Sequence, residues 1–217
     1  MDVIGDNLPL YAQGFLVTLQ LTLISGALAM GLGLLLAAMR VAPLRPLRLL
    51  AAGYVELLRN TPLTLVFFFI ILVTPQFGVR LPFDFFSFAV VALTLYTAAF
   101  VCEAIRSGIN SVGIGQAEAA RAIGLTFGQS LGQVVLPQAF RTVIPPLINV
   151  FIALAKNTSV AAGFGVVELM GTGRRLTTAN PGGVVWILVG VALGYLIITI
   201  SLGAMAAQAE RKAAFTR

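Results

Sequence analysis

Few residues in this chain could take part in chemistry, and they are widely spaced. The 217 residues include 14 Lys or Arg, 8 Asp or Glu, one cysteine and no histidine. With Cys102 alone and no imidazole, a Cys/His metal site has no ligand set, so we predict no metal. Neither Lys156 nor Lys212 follows a glycine, so the chain lacks the usual phosphate-binding loop of an ATPase. Hydrolase chemistry also lacks its histidine base, and the sequence predicts a protein that is not an enzyme.

One polar run, Lys156-Asn157-Thr158-Ser159, interrupts a long apolar stretch. A charged side chain at the centre of a bilayer costs about 2.5–3.5 kcal/mol, so it usually faces a cavity or a partner. We therefore expect the Lys156 ammonium and its three neighbours to line a translocation path and attract a substrate carboxylate. Two alternatives stay open: Lys156 pairs with an acid of a partner chain, or its aliphatic stem carries the ammonium to an interface.

Two acid–base pairs have the spacing of neighbours on one helical face. Glu56 and Arg59 are three residues apart, as are Glu103 and Arg106. Side chains three apart on a helix lie side by side, so we predict a structural ion pair in each case.

The composition indicates which elements must position these residues. Hydrophobic residues make up 59% of the chain and charged residues 10%, with a mean hydropathy of +0.97. A helical span needs roughly 20 mostly apolar residues, so this length suits a single membrane domain over residues 1–217 in contact with lipid. The net charge of +6 is scattered between apolar stretches and forms no continuous basic face, which argues against nucleic acid as a partner.

The apolar stretches predict an all-α integral membrane protein with five transmembrane helices. These helices are expected at residues 14–39, 57–75, 85–105, 140–162 and 184–207. Pro62 should lie in the first turn of the second span. Pro145, Pro146 and the polar run at 156–159 should interrupt the fourth, and a polar loop through Glu168, Arg174 and Arg175 should precede the fifth.

The distribution of basic residues predicts the orientation. One side of the membrane would collect eight basic residues: Arg40, Arg45, Arg48, Arg106, Arg121, Arg211, Lys212 and Arg217. The opposite side would hold three: Arg80, Arg174 and Arg175. Because basic residues concentrate on the cytoplasmic side, we predict the N-terminus outside and the C-terminus in the cytoplasm.

The cytoplasmic section at residues 108–139 contains no window apolar enough to cross a membrane. Its first part, Gly115 to Ile123, is composed of good helix formers, and Gly124 permits a turn. A second helical stretch should begin at Thr126 and end at Leu136-Pro137. Two short helices at an angle would form a projection suited to docking.

These residues resemble a known family. Glu118-Ala119-Ala120, then Gly124 six residues after Glu118, and then Val134 and Leu136-Pro137 are similar to the signature loop of ABC importer permeases, in which isoleucine usually replaces Val134. Other segments resemble the polar amino acid branch of that family: Thr18 to Thr22, Glu56 to Leu63, Glu103 to Ile109, Pro137 to Arg141, and Lys156 to Ser159. Within that branch the chain resembles glutamate permeases of the actinobacterial type.

The resemblance implies a type I ABC importer permease fold in a bacterial cytoplasmic membrane. It implies partners: a second permease subunit, expected to be a different homologous chain, two ATPase subunits that bind ATP and Mg²⁺, and an extracellular amino-acid-binding protein. No cofactor is expected on this chain itself. By the same resemblance, the residues that couple it to the ATPase are Gly115, Glu118, Ala119, Ala120, Gly124, Leu136 and Pro137. A passive channel is the remaining alternative, and a requirement of uptake for ATP would distinguish the two.

Overall fold

A computed structural model describes residues 2–77 and 84–214, and within these ranges helices joined by short connections make up the chain. The α-helices are α1 (Asp2–Asp6), α2 (Leu8–Val41), α3 (Arg45–Arg59), α4 (Leu63–Phe68), α5 (Phe85–Asn110), α6 (Ile114–Ala122), α7 (Phe127–Gln129), α8 (Leu136–Asn157), α9 (Leu169–Ala179) and α10 (Val184–Ala214). The predicted all-α class is confirmed. Arg80 and Arg217, which entered the orientation count, lie outside the described residues.

Within the described residues, four helices are long and apolar enough to cross a membrane. They cover Leu8–Val41, Phe85–Asn110, Phe127–Phe164 and Pro181–Met205. A fifth span is obtained only if a bent pair, Arg45–Arg59 with Leu63–Val73, is counted as one. The orientation of the chain across the membrane stays a prediction.

The second predicted span is the one that departs most from expectation. A single helix over 57–75 does not form, because the chain bends by 107° between α3 and the helix that starts at Leu63. Pro62 has no backbone N–H and restricts the residue before it, so α3 ends at Arg59 and a new helix begins after the proline. The new helix continues in π-helical geometry over Phe69–Val73.

Small residues allow α2 and α5 to pack closely and in parallel. A Cβ atom at Gly33 would lie 2.6 Å from the Cβ of Val101, and Ser25 donates a hydrogen bond to the carbonyl of Val90 at 3.4 Å. α8 runs antiparallel to α5, since the Thr142 hydroxyl donates to the Gly108 carbonyl at 3.0 Å. Glycine at such contacts lets helix backbones approach where a hydrophobic driving force is absent.

The fourth span is longer and more continuous than predicted. The helical stretch that begins after Thr126 does not end at Leu136-Pro137, and Pro145 and Pro146 do not interrupt the helix. Ser130–Val135 is π-helical, and the Leu136 N–H donates to the carbonyl of Leu131. This wider turn changes the hydrogen-bond pattern just before Pro137, which has no N–H to give. One helical run therefore extends over Phe127–Phe164.

The predicted polar loop before the last span is instead a helix, α9. It packs against α2 and α10 through a face of buried residues that includes Leu169, Thr172 and Leu176. A Cβ at Gly173 would lie 2.5 Å from Val191, so only glycine permits this close approach to α10. Arg174 and Arg175 stay exposed on the opposite face of α9.

Candidate functional site

A helical hairpin connects α5 to α8. We define the hairpin as residues 111–135, which contain α6, α7 and the π-helical segment. A capping box begins its second arm: the Thr126 hydroxyl accepts from the Gln129 N–H at 3.3 Å, and the Gln129 side chain accepts from the Thr126 N–H at 2.9 Å. The second arm therefore has a defined start, and it continues directly into α8.

Gly124 forms the turn between the two arms. Its φ of +92° is left-handed, a conformation that L side chains rarely adopt. The Leu125 N–H donates to the Ala120 carbonyl at 3.2 Å and the Gly124 N–H to the Arg121 carbonyl at 3.0 Å. This is the Schellman hydrogen-bond pattern, which ends a helix and satisfies its last carbonyls. The sequence predicted a turn here, and the positive φ gives the physical reason for the glycine.

The hairpin presents apolar side chains outside the predicted spans. Ile114 is 77% exposed, Ile123 81% and Phe127 75%. Of the residues that the resemblance assigned to ATPase coupling, most are exposed as well: Gly115, Glu118, Ala119, Gly124, Leu136 and Pro137. Ala120 is buried within the hairpin. Large apolar side chains this exposed, on a segment that is otherwise polar, suit a protein–protein contact.

The predicted ion pairs form differently from expectation. Arg106 donates to Glu103, with Nε 3.2 Å from Oε1, as the spacing predicted. Arg59, however, places a guanidinium nitrogen 3.5 Å from Oε2 of Glu103 on the neighbouring helix, and no ion pair involving Glu56 is present among the described residues. The bend after Arg59 sets its side chain beside α5, and the guanidinium also lies 5.8 Å from the Phe100 ring centre.

The polar run at 156–159 does not form one lining. Lys156 and Ser159 face one cavity, beside α10 and Tyr195. Asn157 faces another cavity, between α5 and α8. Thr158 is fully buried and donates to the Ala155 carbonyl at 2.8 Å, and its role in a path stays a prediction. Successive residues on a helix point about 100° apart, which is the reason for the division.

The cavity at Asn157 has a volume of about 320 Å³. Its lining comprises Tyr96, Thr97, Phe100, Asn149, Val150, Ala153, Leu154 and Asn157. Asn149, Tyr96 and Thr97 are polar residues that the sequence did not single out. Their positions within two apolar stretches, with no charge to mark them, gave no signal.

The Lys156 side opens into a longer depression, which we call the cationic groove. It consists of three adjoining cavities with volumes of about 320, 580 and 400 Å³. The first and second share Ser159, Met170 and Leu188, and the second and third share Ala162 and Arg174. Its charged lining residues are Lys156, Arg174 and Arg175.

Glu168 is the polar residue that sequence reasoning placed most wrongly. It was expected in a polar loop, yet it is fully buried. Its carboxylate caps α9 by accepting from the Gly171 N–H at 2.9 Å, and it also accepts hydrogen bonds from the hydroxyls of Thr18, at 3.3 Å, and Tyr195. One carboxylate thus joins α2, α9 and α10. Buried carboxylates need such partners, because an unpaired one is very costly.

Ser130 lies in Gly128-Gln129-Ser130-Leu131-Gly132, which has the Gly-x-Ser-x-Gly spacing of a hydrolase nucleophile turn. Its hydroxyl is buried without a hydrogen-bond partner, within the π-helical segment rather than at a strand-to-helix turn. Since the chain has no histidine to act as a base, the spacing carries no catalytic function.

Comparisons with known proteins agree with this geometry. The family described as binding-protein-dependent transport system inner membrane component matches residues 29–214. "Probable glutamine ABC transporter permease protein GlnM" of Bacillus subtilis is 42% identical over 202 residues, covering 93% of this chain and 92% of that protein. Glutamate transport system permease protein GluC of Corynebacterium glutamicum is 39% identical over 213 residues, covering 92% of each.

Two solved structures share the fold. A crystal structure of an amino acid ABC transporter with histidines superposes with a TM-score of 0.89 at 30% identity, covering 96% of both chains. An inward-facing conformation of the MetNI methionine ABC transporter superposes with a TM-score of 0.75 at 21% identity, covering 97% of this chain and 98% of that one.

Proposed function

Because this chain belongs to the family of binding-protein-dependent transport system inner membrane components, we propose that it is the permease subunit of an ATP-driven importer of polar amino acids, with glutamate as its substrate. It resides in a bacterial cytoplasmic membrane and forms part of a path that opens alternately to each side. The full importer contains a second, homologous permease chain, two ATPase subunits that bind ATP and Mg²⁺, and an extracellular amino-acid-binding protein.

The hairpin is the observation that carries this proposal. Three large apolar side chains, Ile114, Ile123 and Phe127, are each at least three-quarters exposed on a segment that precedes the predicted fourth span. The hairpin docks with these side chains into a groove of an ATPase subunit, and Glu118 adds a charged contact at the N-terminal half of α6. The hairpin therefore lies in the cytoplasm.

The second arm of the hairpin and α8 form one continuous helix, which explains how docking of the hairpin can displace residues of the translocation path. The second arm belongs to the single helical run Phe127–Phe164, which at 1.5 Å per residue is roughly 55 Å long. When ATP closes the ATPase subunits, a displacement of the hairpin is transmitted along this run to Lys156 and Asn157. A flexible linker between the hairpin and the span would absorb the motion, and the continuous helix provides none.

Glutamate is supported by two observations. The chain is 39% identical to a glutamate permease subunit, and the charged residues that line the cationic groove are all basic. Glutamine is the second candidate, because a permease named for glutamine is 42% identical. A passive channel is the less favoured alternative, since it has no use for an exposed docking hairpin.

The test compares two glycines of the hairpin in the reconstituted importer. Gly124→Asp forces a side chain into the left-handed turn, whereas Gly128→Asp adds the same charge at a position with ordinary backbone and open space. We expect Gly124→Asp to insert normally but to lose ATP-driven uptake and substrate-stimulated ATP hydrolysis. Gly128→Asp should retain most of both activities. Normal uptake by Gly124→Asp, or uptake by the native importer without ATP, would overturn the proposal.

A further inference from the structure

The cationic groove leads from one end of the bundle toward its middle. The end opposite the hairpin, which we call the remote end, holds residues 158–183, because α8 runs away from the hairpin and α10 runs back toward it. Arg174 and Arg175 lie on α9 at this end. Tyr195 lies at the inner part of the groove, eleven residues into α10, which corresponds to a depth of roughly 16 Å.

Charge along the groove has a single sign. Lys156, Arg174 and Arg175 line it, and no acidic residue among residues 2–77 and 84–214 does. Glu168, the nearest acid in sequence, is fully buried behind α9, where three donors already occupy its carboxylate. Within the part of the chain that the structure describes, neither Lys156 nor Arg174 lies within ion-pair distance of a carboxylate.

The two exposed arginines of α9 are placed differently. Arg174 lines both the outer cavity and the adjoining middle cavity, which also contains Ser159 and Met170. Arg175 lines the outer cavity alone. Arg174 therefore lies at the junction of the outer and middle cavities, and the Lys156 cavity adjoins the middle one.

We propose that Arg174 is a specificity-determining residue: it selects amino acids with a carboxylate side chain over those with an amide as they enter the groove. The Lys156 ammonium, deeper in the groove, then binds the α-carboxylate, which all amino acids possess. This inference rests on the proposed function. It adds the residue that distinguishes substrates by the charge of their side chain.

Physical chemistry favours this assignment. A cation at the mouth of a cleft with low-dielectric walls raises the local concentration of anions, by about tenfold or more. Glutamate and glutamine have nearly the same shape and differ by one unit of charge. A single guanidinium therefore distinguishes them by electrostatic attraction rather than by shape. Arg175 borders the outer cavity alone, so water and salt screen its charge from the middle and Lys156 cavities, and we expect it to distinguish the two amino acids far less.

The experiment measures equilibrium binding of radiolabelled glutamate and glutamine to the purified permease–ATPase complex, without the binding protein. Arg174→Gln removes the charge, Arg174→Lys retains it, and Arg175→Gln is the matched control. Both positions are exposed, so all three variants should fold. We expect Arg174→Gln to weaken glutamate binding about tenfold and to change glutamine binding less than twofold. Arg174→Lys and Arg175→Gln should keep the native preference.

Three results would overturn the inference: an unchanged glutamate affinity in Arg174→Gln, an equal loss for both amino acids, or a native complex that does not prefer glutamate. An equal loss would indicate that Arg174 serves only the structure of α9. The first two results leave the proposed function standing, because ATP-driven uptake through the native importer tests it separately. The third would also remove glutamate as the proposed substrate, but it would not remove the assignment as an importer permease.

Discussion

The hairpin and the remote end of the bundle are packed in opposite ways. At the hairpin end, the glycines at 124 and 128 have no atom within 4 Å of a built Cβ, and apolar side chains face outward. At the remote end, a Cβ at Gly14 would lie 3.2 Å from the backbone carbonyl of Glu168, and the Glu168 carboxylate joins three helices. The remote end is fixed by contacts within the chain, whereas the hairpin presents an uncovered apolar surface.

This difference is suited to a transmission element. A helix that pushes must have one end available to the motor and the other packed against what it moves. The remote end supplies the packing through buried hydrogen bonds and close glycine contacts, and the hairpin supplies the free surface. We therefore expect substitutions at the remote end to lower stability, and substitutions on the hairpin to lower coupling with little change in stability.

The largest expected effect is at Glu168. Glu168→Ala removes the acceptor for the Gly171 N–H and for the hydroxyls of Thr18 and Tyr195, and each buried donor left unpaired costs about 1–3 kcal/mol. We expect a loss of about 3 kcal/mol in the free energy of unfolding, measured by denaturant titration in detergent. The control is Glu118→Ala on the exposed hairpin, with a change within about 0.5 kcal/mol. Equal losses in both variants would remove the proposed contrast.

A second, smaller effect compares two glycine-to-alanine substitutions. Gly14→Ala would place a methyl group against the Thr172 hydroxyl and the Glu168 carbonyl, and overpacking of this kind costs about 1–3 kcal/mol. Gly128→Ala meets nothing within 4 Å in a helical turn, where alanine is favoured over glycine by up to about 1 kcal/mol. Melting temperatures should fall for the first variant and stay level or rise for the second. A fall for Gly128→Ala would mean that the hairpin is packed more tightly than its geometry indicates.

The smallest effect distinguishes two helix caps by their response to pH. Asp84 caps α5, and hydrogen bonds from Ser87 hold the pKa of its carboxyl below the usual value of 3.8. A lowered pKa means that the cap stabilises the protein above that value and that this contribution is lost as the pH falls through the lowered pKa. Thr126, the cap of the second hairpin arm, carries no charge.

Asp84→Asn keeps a capping side chain without the titration. At pH 7 its melting temperature should be close to that of the native chain, and its decline below pH 4 should be shallower. Thr126→Ala should lower the melting temperature by the same amount at every pH. Parallel acid profiles for the native chain and Asp84→Asn would show that the Asp84 charge has no role.

Much of the fold could be predicted because its causes are local. Four apolar stretches became long helices, and the helix formers around Glu118, followed by Gly124, became an arm and its turn. The 107° bend after Arg59 was missed even though Pro62 was noted, since Pro62 fits the first turn of a helix as well as a break. In the structure α3 and α4 each pack against α5, a long-range arrangement that no local pattern encodes.

The site residues were harder to place for a different reason. The burial of Glu168 depends on Thr18, which is 150 residues away in sequence, and no local pattern encodes that contact. The division of Lys156 and Asn157 between two cavities, by contrast, follows from helical geometry. Adjacent helical residues do not face each other, whereas residues three apart do, so Lys156 and Ser159 share a cavity that Asn157 does not reach.

Cross-linking of the hairpin to the ATPase tests the central claim most directly. A photoreactive maleimide is attached to Ile123→Cys in the assembled importer, with Ile200→Cys on α10 as the control, because Ile200 is also exposed, at 60%. Cys102 is fully buried and should not compete for the reagent. We expect illumination to join the permease to the ATPase subunit from position 123 and not from position 200. Absence of an ATPase adduct from position 123, or equal yields from both positions, would contradict the assignment of the hairpin as the docking element.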